Sequence, residues 1–300
     1  MDRRRFVSLA PAAFSWRPAG AQAPVRTALR RPISGLGGTV PVIGMGTWLT
    51  FDVGDEPGEA AVRREVLRRF FAAGGGMIDS SPMYGRAETL LGELLPSVPH
   101  AGQLIAATKV WTPFERLGHD QFAHSLRVWG VPRFDVLLVH NLLNWRAHLK
   151  TLRQWKDEGR VRCIGVSTSH GQRHDEAMRV IRSERLDVLQ ITYNLADASA
   201  EPVMDLAAER GLAVVVNRPL DGGALFDRVG RRPLPGWAAD LDCTAWAPFF
   251  LKWVISHPAV TCAIPATRRP QHMDENMSAG RGRLPDHALR RRMQAVVQAL

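Results

Sequence analysis

The stretch DVLLVHNLLNWRAHLKTLRQWKDEGRVRCIGVS, residues 135–167, contains one complete strand–helix–strand unit. Its two ends, DVLLVH (135–140) and CIGVS (163–167), are short and apolar, as in strands that are buried on both faces. Between them, NWRAHLKTLRQWKDEG (144–159) has helical periodicity and closes with a lysine, two acidic residues and a glycine, which is typical of a helix C-terminus. We therefore predict two parallel strands joined by a covering helix.

The same alternation of strand and helix runs through most of the chain. Eight segments have the strand pattern: VIGMG (42–46), GMIDS (76–80), LIAATKV (104–110), DVLLVH (135–140), CIGVS (163–167), VLQITY (188–193), AVVVNR (213–218) and TCAIPA (261–266). Eight strand–helix units in a chain of 300 residues predict an α/β fold, a single (β/α)8 TIM barrel. A doubly wound sheet is the structural alternative, but no G-x-G-x-x-G sequence follows the first strand.

Two further segments belong to this predicted domain, which we assign to residues 24–300 with a helix at its C-terminus. The sequence TALRRPISGLGGTVP (27–41) predicts an N-terminal β-hairpin that turns at Gly35 to Gly38. A glycine- and proline-rich loop, residues 219–242, follows the seventh strand. Because long loops in compact domains are usually functional, we expect this loop to contribute to a site.

The first 23 residues have the layout of an export signal. MDRRRFVSLAPAAFSWRPAGAQA (1–23) has a basic start, a modestly apolar middle and the small-residue sequence AQA (21–23) before the predicted cleavage point. The sequence RRRFV (3–7) is typical of a twin-arginine signal, which predicts recognition by the twin-arginine export machinery and a periplasmic location. A disordered basic tail is the alternative, and the protein is then expected in the cytoplasm. Since this route commonly carries proteins loaded with a cofactor, the signal also predicts a cofactor.

The composition argues against several other classes of function. The net charge of +10 comes mainly from scattered arginines, which fits a solvated basic surface better than a nucleic-acid interface. No apolar run reaches about 18 residues, so we expect no stable membrane insertion. The three cysteines form no short-spaced pair and the ten histidines are dispersed, so neither a disulfide framework nor a metal site is expected.

Each predicted strand ends in residues that could take part in catalysis or ligand binding. In TIM barrels, active sites form at the carboxyl ends of the strands. In chain order, these residues are Gly46, Thr47 and Trp48; Asp79; Lys109; His140 and Asn141; Ser167 and Thr168; Gln190 and Tyr193; Asn217 and Arg218; and Thr267 and Arg268. Any one of them has a structural explanation, such as a turn cap for Asp79 or a core position for His140. Together they predict one site at one mouth of the barrel.

The motifs around these residues resemble, in order and spacing, those of the aldo-keto reductases over residues 27–285. They are PVIGMGTW (41–48), MIDSSPMYG (77–85), ATKVW (107–111), LLVHN (137–141), CIGVST (163–168), LQITYN (189–194) and CAIPATRRPQHMDEN (262–276). The resemblance implies a catalytic tetrad of Asp79, Tyr84, Lys109 and His140.

The chemistry of carbonyl reduction accounts for these four residue types. The reaction needs a hydride at carbon and a proton at oxygen, and Tyr84 is the expected general acid. An ammonium group at Lys109 favours the phenolate and lowers the pKa of Tyr84. Asp79 holds Lys109 charged and oriented, and His140 positions the carbonyl oxygen.

The resemblance also implies a nicotinamide cofactor. It places the carboxamide against Ser167, Thr168 and Gln190, and the adenine against Glu275 and Asn276. The whole predicted cofactor site is Gly46, Thr47, Trp48, Ser167, Thr168, Gln190, Asn217, Arg218, Leu220, Thr267, Arg268, Arg269, Glu275 and Asn276.

A phosphate is expected at the start of the helix after strand eight, held by backbone amides, Thr267 and Arg268 or Arg269. Two arginines favour NADP(H) over NAD(H), since the 2′-phosphate needs a cationic partner. Two solvated surface arginines are the alternative.

The predicted substrate is a small carbonyl compound. Trp48, Trp111, Asn141 and Trp237 are expected to line its binding site, and aromatic walls suit apolar or aromatic aldehydes and ketones. We therefore predict an NADPH-dependent reductase that converts them to alcohols. A nicotinamide-binding regulatory or sensor barrel with little turnover is the alternative, because the family usually has asparagine where Thr168 stands and an aromatic residue where Asn217 stands.

Overall fold

The structure, a computed structural model, describes residues 27–54, 56 and 58–299. The predicted export signal, residues 1–23, lies outside the described residues. The described part begins with the predicted hairpin, formed by the antiparallel strands β1 (Arg30–Ile33) and β2 (Gly38–Pro41). Gly37 closes its turn with a φ of 60°, a left-handed conformation that glycine adopts without strain.

After the hairpin, a parallel sheet of eight strands follows the chain in sequence order. Its strands are β3 (Met45–Gly46), β4 (Met77–Asp79), β5 (Ile105–Val110), β6 (Phe134–Val139), β7 (Val161–Ser167), β8 (Val188–Thr192), β9 (Ala213–Asn217) and β10 (Val260–Ala263). Parallel bridges join Ile43 to Ala263 and Gly46 to Ala266, so the last strand meets the first and the sheet closes. The predicted single (β/α)8 TIM barrel is confirmed.

Helices follow the strands and cover the outer face of the sheet. They are α1 (Glu59–Ala72), α2 (Ala87–Leu94), α3 (Glu115–Trp129), α4 (Trp145–Asp157), α5 (His174–Ser183), α6 (Glu201–Glu209), α7 (Ala224–Val229), α8 (Trp246–Ile255), α9 (Pro270–Ser278) and α10 (His287–Gln298). None of the helices in the described part of the chain is long and apolar enough to span a bilayer.

Helix α4 shows how this outer layer packs. Leu149, Leu152 and Trp155 recur every three residues and are buried, and the helix packs against β6 and β7. Strands β6 and β7, which precede and follow α4 in the sequence, pair with each other in parallel. The strand–helix–strand unit predicted for residues 135–167 is therefore confirmed.

The barrel interior is apolar at the amino-terminal ends of the strands. We call this set of inward-facing side chains, together with three hairpin residues that cover it, the lower layer. Its members are Ile33, Leu36, Val40, Met77, Ala107, Val136, Leu138, Cys163, Val188, Ala213, Val215, Cys262 and Ile264. The hairpin therefore closes this end of the barrel.

The inward-facing positions nearer the carboxyl ends carry polar groups, which we call the upper layer: Asp79, Lys109, His140, Ser167, Gln190 and Asn217. Strand side chains alternate between the two faces with a period of two. Asp79 lies two residues beyond Met77, Lys109 two beyond Ala107, and the other members follow the same alternation. The strand geometry thus collects the predicted site residues at one end of the barrel.

The loop predicted at residues 219–242 has regular structure of its own. It contains short 3-10 helices at Asp221–Gly223 and Gly236–Leu241, with α7 between them. Leu225 and Val229 of α7 are buried against the core, which the glycine- and proline-rich sequence did not predict.

Candidate active site

A pocket of about 320 Å³ opens above the upper layer. Eleven of the predicted site residues line it: Gly46, Thr47, Trp48, Asp79, Tyr84, His140, Asn141, Gln190, Asn217, Arg218 and Leu220. They come from five strand ends and from the loops after β4 and β9, so residues far apart in sequence meet around one cavity. Its walls are mostly apolar with a few polar groups at the base, as in small-molecule sites.

The base of the site is a buried ion pair. The Lys109 ammonium donates to Asp79 Oδ2 over 2.6 Å and to the carbonyl oxygen of Ser80 over 2.7 Å. Gln190 Nε2 donates to the other carboxylate oxygen, Asp79 Oδ1, over 2.8 Å. Burial disfavours the ammonium, but the charge of Asp79, the hydrogen bond to it and the nearby Tyr84 and Glu88 together outweigh burial, so the pKa of Lys109 is raised and the group stays charged.

Tyr84 stands above this pair, in the loop between β4 and α2. Lys109 Nζ lies 5.2 Å from the centre of the Tyr84 ring. Burial raises the pKa of Tyr84, and the positive charge of Lys109 acts in the opposite direction without overcoming it. Lys109 was expected to lower the pKa of Tyr84, but the structure gives a raised pKa, because desolvation of the phenolate is the larger effect. The phenol is protonated at neutral pH and available as a donor.

Hydrogen bonds fix the loop that carries Tyr84 at this residue and at Arg86. The Tyr84 amide donates to the carbonyl oxygen of Ser81 over 3.0 Å. Asp52 Oδ1 accepts the amide of Arg86 over 2.9 Å, where α2 begins. Between them Gly85 has a φ of 56°, and a side chain there would overlap the Asp52 carboxylate. These contacts fix the backbone on which the tyrosine depends.

His140 faces Tyr84 across the pocket, with the ring centres 6.0 Å apart and the planes nearly perpendicular. Burial, aided by the charge of Lys109, lowers the pKa of His140 to about 3. The imidazole is therefore neutral, and its Nδ1 lies 3.2 Å from Ser81 Oγ. When the Ser81 hydroxyl donates to Nδ1, the ring proton is on Nε2, and that nitrogen is a hydrogen-bond donor.

Asn217 takes part in a hydrogen-bonded chain along one wall of the pocket. Its Oδ1 accepts from Thr192 Oγ1 over 2.6 Å, and its Nδ2 donates to the carbonyl oxygen of Thr168 over 2.8 Å. The buried Thr168 hydroxyl has no hydrogen-bond partner among the described residues. An unpaired buried hydroxyl costs free energy. A carboxamide could pair with such a hydroxyl, which fits the predicted nicotinamide in chemistry, but Ser167 and Thr168 are buried behind the pocket and do not line it.

The predicted phosphate and adenine residues lie beside the pocket, around the start of α9. Thr267 Oγ1 accepts the amide of Arg269 over 3.1 Å, and this contact shapes the turn before the helix. Arg268 and Arg269 are exposed, Glu275 is half-buried and Asn276 is buried. The chain reaches this region directly from Ala266, the last residue of this segment that lines the pocket.

The predicted substrate residues separate into three groups. Trp48 and Asn141 line the main pocket, whereas Trp111 lines a smaller adjoining pocket that shares Met83 with it. Trp237 lines neither of these two pockets. The centre of its ring lies 5.6 Å from the centre of the Phe249 ring and 4.4 Å from the guanidinium carbon of Arg292. The structure therefore does not bring Trp237 to the site, because its short 3-10 helix turns toward α8 and α10.

Several residues that line the pocket were not predicted individually, although the loop 219–242, which contributes four of them, was expected to contribute to a site. They are Leu49, Thr50, Met83, Ser169, His170, Pro219, Gly222, Gly223, Phe226, Ile264, Pro265 and Ala266. Met83 directly precedes Tyr84 and His170 lies two residues after Thr168, so both could have been found from their position in a loop after a strand end. Phe226 carries no such signal, since only the folding of α7 brings it to the pocket. The described residues contain no group of three acidic, histidine or cysteine side chains that could hold a metal ion.

Comparison with known proteins agrees with this architecture. A sequence model described as the Aldo/keto reductase family matches residues 42–295. A pyridoxine 4-dehydrogenase of Escherichia coli is 26% identical over 259 residues, which cover 78% of this chain and 86% of that protein. An uncharacterized oxidoreductase of Schizosaccharomyces pombe is 27% identical over 261 residues, covering 81% and 79%.

The fold also matches solved structures. An aldo/keto reductase from Klebsiella pneumoniae, in complex with NADP and acetate, superposes with a TM-score of 0.73 at 22% identity, covering 91% of this chain and 96% of its own. An aldo-keto reductase from Bacillus halodurans, in its holo form, has a TM-score of 0.72 at 18% identity, covering 90% and 96%.

Proposed function

The chain belongs to the aldo/keto reductase family, and from this premise we propose that it reduces aldehydes or ketones to alcohols with NADPH. The observation that supports the proposal is the arrangement of four groups around one pocket. A protonated tyrosine, a neutral histidine and a buried lysine–aspartate pair are the groups that proton delivery to a carbonyl oxygen requires.

Each of the four residues has a separate role in the proposed reaction. Bound reduced nicotinamide supplies the hydride for the carbonyl carbon. The Nε2–H of His140 holds the carbonyl oxygen, and Tyr84 gives its phenolic proton to that oxygen as negative charge develops there. The Lys109 ammonium stabilises the phenolate that remains, and Asp79 keeps Lys109 charged. Tyr84 is half-buried at the pocket wall, so its proton can be restored from solvent.

The cofactor assignment extends the same proposal. Ser167, Thr168 and Gln190 would hold the carboxamide, and the free hydroxyl of Thr168 is the observation in its favour. Thr267, Arg268 and Arg269 would hold the 2′-phosphate, while Glu275 and Asn276 would meet the adenine. The Klebsiella pneumoniae neighbours are described with NADP and NADPH, which supports NADP(H) over NAD(H).

The decisive experiment replaces the proposed acid. We expect Tyr84→Phe to lower kcat for a panel of aldehydes by about 100- to 10,000-fold, because the phenol is the proton donor. NADPH affinity, measured by fluorescence titration, should stay close to that of the wild type. Equal activity of the two proteins would refute this mechanism.

A second candidate function is a nicotinamide-binding barrel that regulates or senses without turnover. Asn217 favours it, because an amide tied to Thr192 and Thr168 cannot stack on the nicotinamide as an aromatic ring would. The same titration separates the two functions. NADPH binding together with no wild-type reduction of any aldehyde or ketone in the panel would favour the second.

We also propose that residues 1–23 are a twin-arginine signal and that the mature protein is periplasmic. The support is the RRRFV sequence at residues 3–7 and the AQA sequence at residues 21–23. Cell fractionation with N-terminal sequencing tests this. A cytoplasmic protein that retains its first 23 residues would contradict it.

A further inference from the structure

Glu88 is a buried acidic residue, next to the loop that carries Tyr84, that has no role in the reaction described above. Only 3% of its surface is exposed. It lies in the first turn of α2. The amide of Ala87, the first residue of this helix, donates to the carbonyl oxygen of Tyr84 over 3.1 Å. The position of α2 therefore determines where the backbone of Tyr84 lies.

Three neutral side chains donate hydrogen bonds to the Glu88 carboxylate. Thr108 Oγ1 donates to Oε1 over 2.5 Å, and Trp129 Nε1 donates to the same oxygen over 3.0 Å. Ser125 Oγ donates to Oε2 over 2.7 Å. Both oxygens thus have the partners that a buried carboxylate needs. Because Thr108 belongs to β5 and the other two donors to α3, Glu88 joins α2 to both of these elements.

The hydrogen bond from Thr108 reaches the strand that carries Lys109. The two residues are consecutive in β5, so their side chains point to opposite faces of the sheet. Lys109 faces the barrel interior, where its Nζ lies 5.2 Å from the centre of the Tyr84 ring. Thr108 faces α2, where it meets Glu88. This hydrogen bond therefore connects, through short stretches of backbone, the phenol and the ammonium that the proposed reaction brings together.

The charge of Glu88 also acts on Lys109. Burial lowers the pKa of Lys109, and the charges of Asp79, Tyr84 and Glu88 raise it, with a net effect in the upward direction. Glu88 is thus a second anion that favours the charged lysine, although it lies on the other side of the strand.

We propose that Glu88 is a positioning residue, which sets the distance between Tyr84 and Lys109 by holding α2 against β5 through Thr108. The inference rests on the proposed reductase function, in which Lys109 stabilises the phenolate that Tyr84 leaves. A displacement of about 1 Å in a reacting group can cost on the order of 100-fold in rate. The alternative is a purely structural role, in which the three hydrogen bonds contribute only to stability.

The first experiment compares Thr108→Val with Ser125→Ala. Each variant removes one hydroxyl from the same buried carboxylate, but only Thr108 belongs to the strand of Lys109. We expect kcat for an aldehyde to fall about 10- to 100-fold in Thr108→Val and to stay within about twofold of the wild type in Ser125→Ala. The KM for the aldehyde and the affinity for NADPH should change little in either variant.

Stability should follow the opposite order, which separates positioning from a structural role. Ser125 is the donor to Oε2, whereas Oε1 keeps Trp129 when Thr108 is replaced. Ser125→Ala should therefore lose at least as much stability in urea unfolding as Thr108→Val, because an oxygen without its donor is costly when buried.

Two further measurements test the proton step and the hydrogen bond itself. The solvent deuterium isotope effect on kcat should grow in Thr108→Val, because proton transfer from Tyr84 becomes slower, and should stay at the wild-type value in Ser125→Ala. Glu88→Gln keeps an oxygen that can accept from Thr108, so its kcat should exceed that of Thr108→Val. A lower kcat in Glu88→Gln would overturn positioning through this hydrogen bond.

The second experiment does not depend on turnover. The chain has two tyrosines, so carbon-13 at the tyrosine Cζ gives two NMR signals, and Tyr84→Phe identifies the signal of Tyr84. Burial raises the pKa of Tyr84 and the charge of Lys109 lowers it. If Lys109 moves away in Thr108→Val, Tyr84 should ionise at a higher pH than in the wild type. Ser125→Ala should titrate like the wild type.

The outcomes distinguish the inference from the reductase function. A kcat in Thr108→Val equal to that of the wild type, or equal losses in both hydroxyl variants, overturns the positioning role and leaves the reductase function standing. A Tyr84 titration that is unchanged in Thr108→Val overturns the inference whatever the activity. If the wild type reduces no aldehyde but the titration shifts in Thr108→Val alone, the reductase function fails and the positioning of Tyr84 stands.

Discussion

The two ends of the barrel interior are built from the same strands and differ in nearly every physical respect. The lower layer is apolar, buried and closed by the hairpin. The upper layer, two residues further along, holds a buried ion pair and opens into the pocket. Along β5 the inward-facing side chains change from apolar to polar between Ala107 and Lys109. At the end of β6 they change between Leu138 and His140.

This difference shows how the fold divides stability from chemistry. Apolar burial at the lower end contributes free energy in proportion to the area removed from water. A buried charge pair at the upper end is weak evidence for stability, because desolvation offsets much of its attraction. The upper layer therefore depends on the stability that the lower layer contributes. Substitutions at the two ends should differ in their effects on unfolding free energy and on activity.

Removal of the buried ammonium should have the largest effect. We expect Lys109→Met to lower the free energy of unfolding by about 3–5 kcal/mol, because Asp79 is left as an unpaired buried charge. The kcat should fall by at least about 100-fold, since the phenolate of Tyr84 loses its cation. Urea unfolding and steady-state kinetics at low temperature measure the two effects.

Leu138→Ala in the lower layer is the matched control for this variant. It should cost a similar free energy, about 2–5 kcal/mol, through the cavity it leaves. Its kcat should remain near the wild-type value wherever the protein is folded. A Leu138→Ala variant that is folded but inactive would show that the two layers are not separable.

The neutral histidine of the upper layer should make stability depend on pH. Its pKa is lowered from 6.5 to about 3 in the folded protein, so below pH 6.5 the unfolded chain binds a proton that the folded one does not. Stability is therefore lost as the pH falls, by up to about 2 kcal/mol between pH 7 and pH 5. His140→Gln should remove this part of the loss in urea unfolding at the two pH values. A wild type and variant with equal losses would contradict the assignment.

The smallest effect is expected where the hairpin meets the lower layer. A Cβ at Gly35 would stand 2.6 Å from Cys163 Sγ, so Gly35→Ala should lower the unfolding free energy by about 1 kcal/mol as the sulfur shifts. Gly38→Ala is its control, because the nearest atom to a Cβ there is 4.0 Å away. Thermal unfolding distinguishes them, and equal melting temperatures would show that the hairpin is loosely seated.

Much of this organisation could be predicted because it depends on local patterns. All eight barrel strands and the hairpin were predicted within a few residues of their observed bounds, since apolar runs and glycine turns are local signals. The convergence of Asp79, Lys109 and His140 followed from the rule that parallel strands place their carboxyl ends together.

What could not be predicted depends on how loops pack and how effects balance. Trp237 was expected at the pocket, but the 3-10 helix that carries it turns toward Phe249 and Arg292. Phe226 was missed for the same reason, as α7 was not apparent in a segment rich in glycine and proline. The pKa of Tyr84 depends on the difference between burial and the charge of Lys109, and a sequence reveals only the second.

The hairpin has one more consequence, for the chemistry of the sulfur atoms beneath it. Cys163 and Cys262 lie in the lower layer, and Cys243 is buried elsewhere, so all three thiols of the chain are enclosed. Burial raises the pKa of Cys163 and Cys262 to about 12 and that of Cys243 to about 11. Because oxidants and disulfides react with the thiolate, these residues are inert in the folded protein. None of the three thiols is therefore exposed to form a disulfide or to be oxidised at the surface.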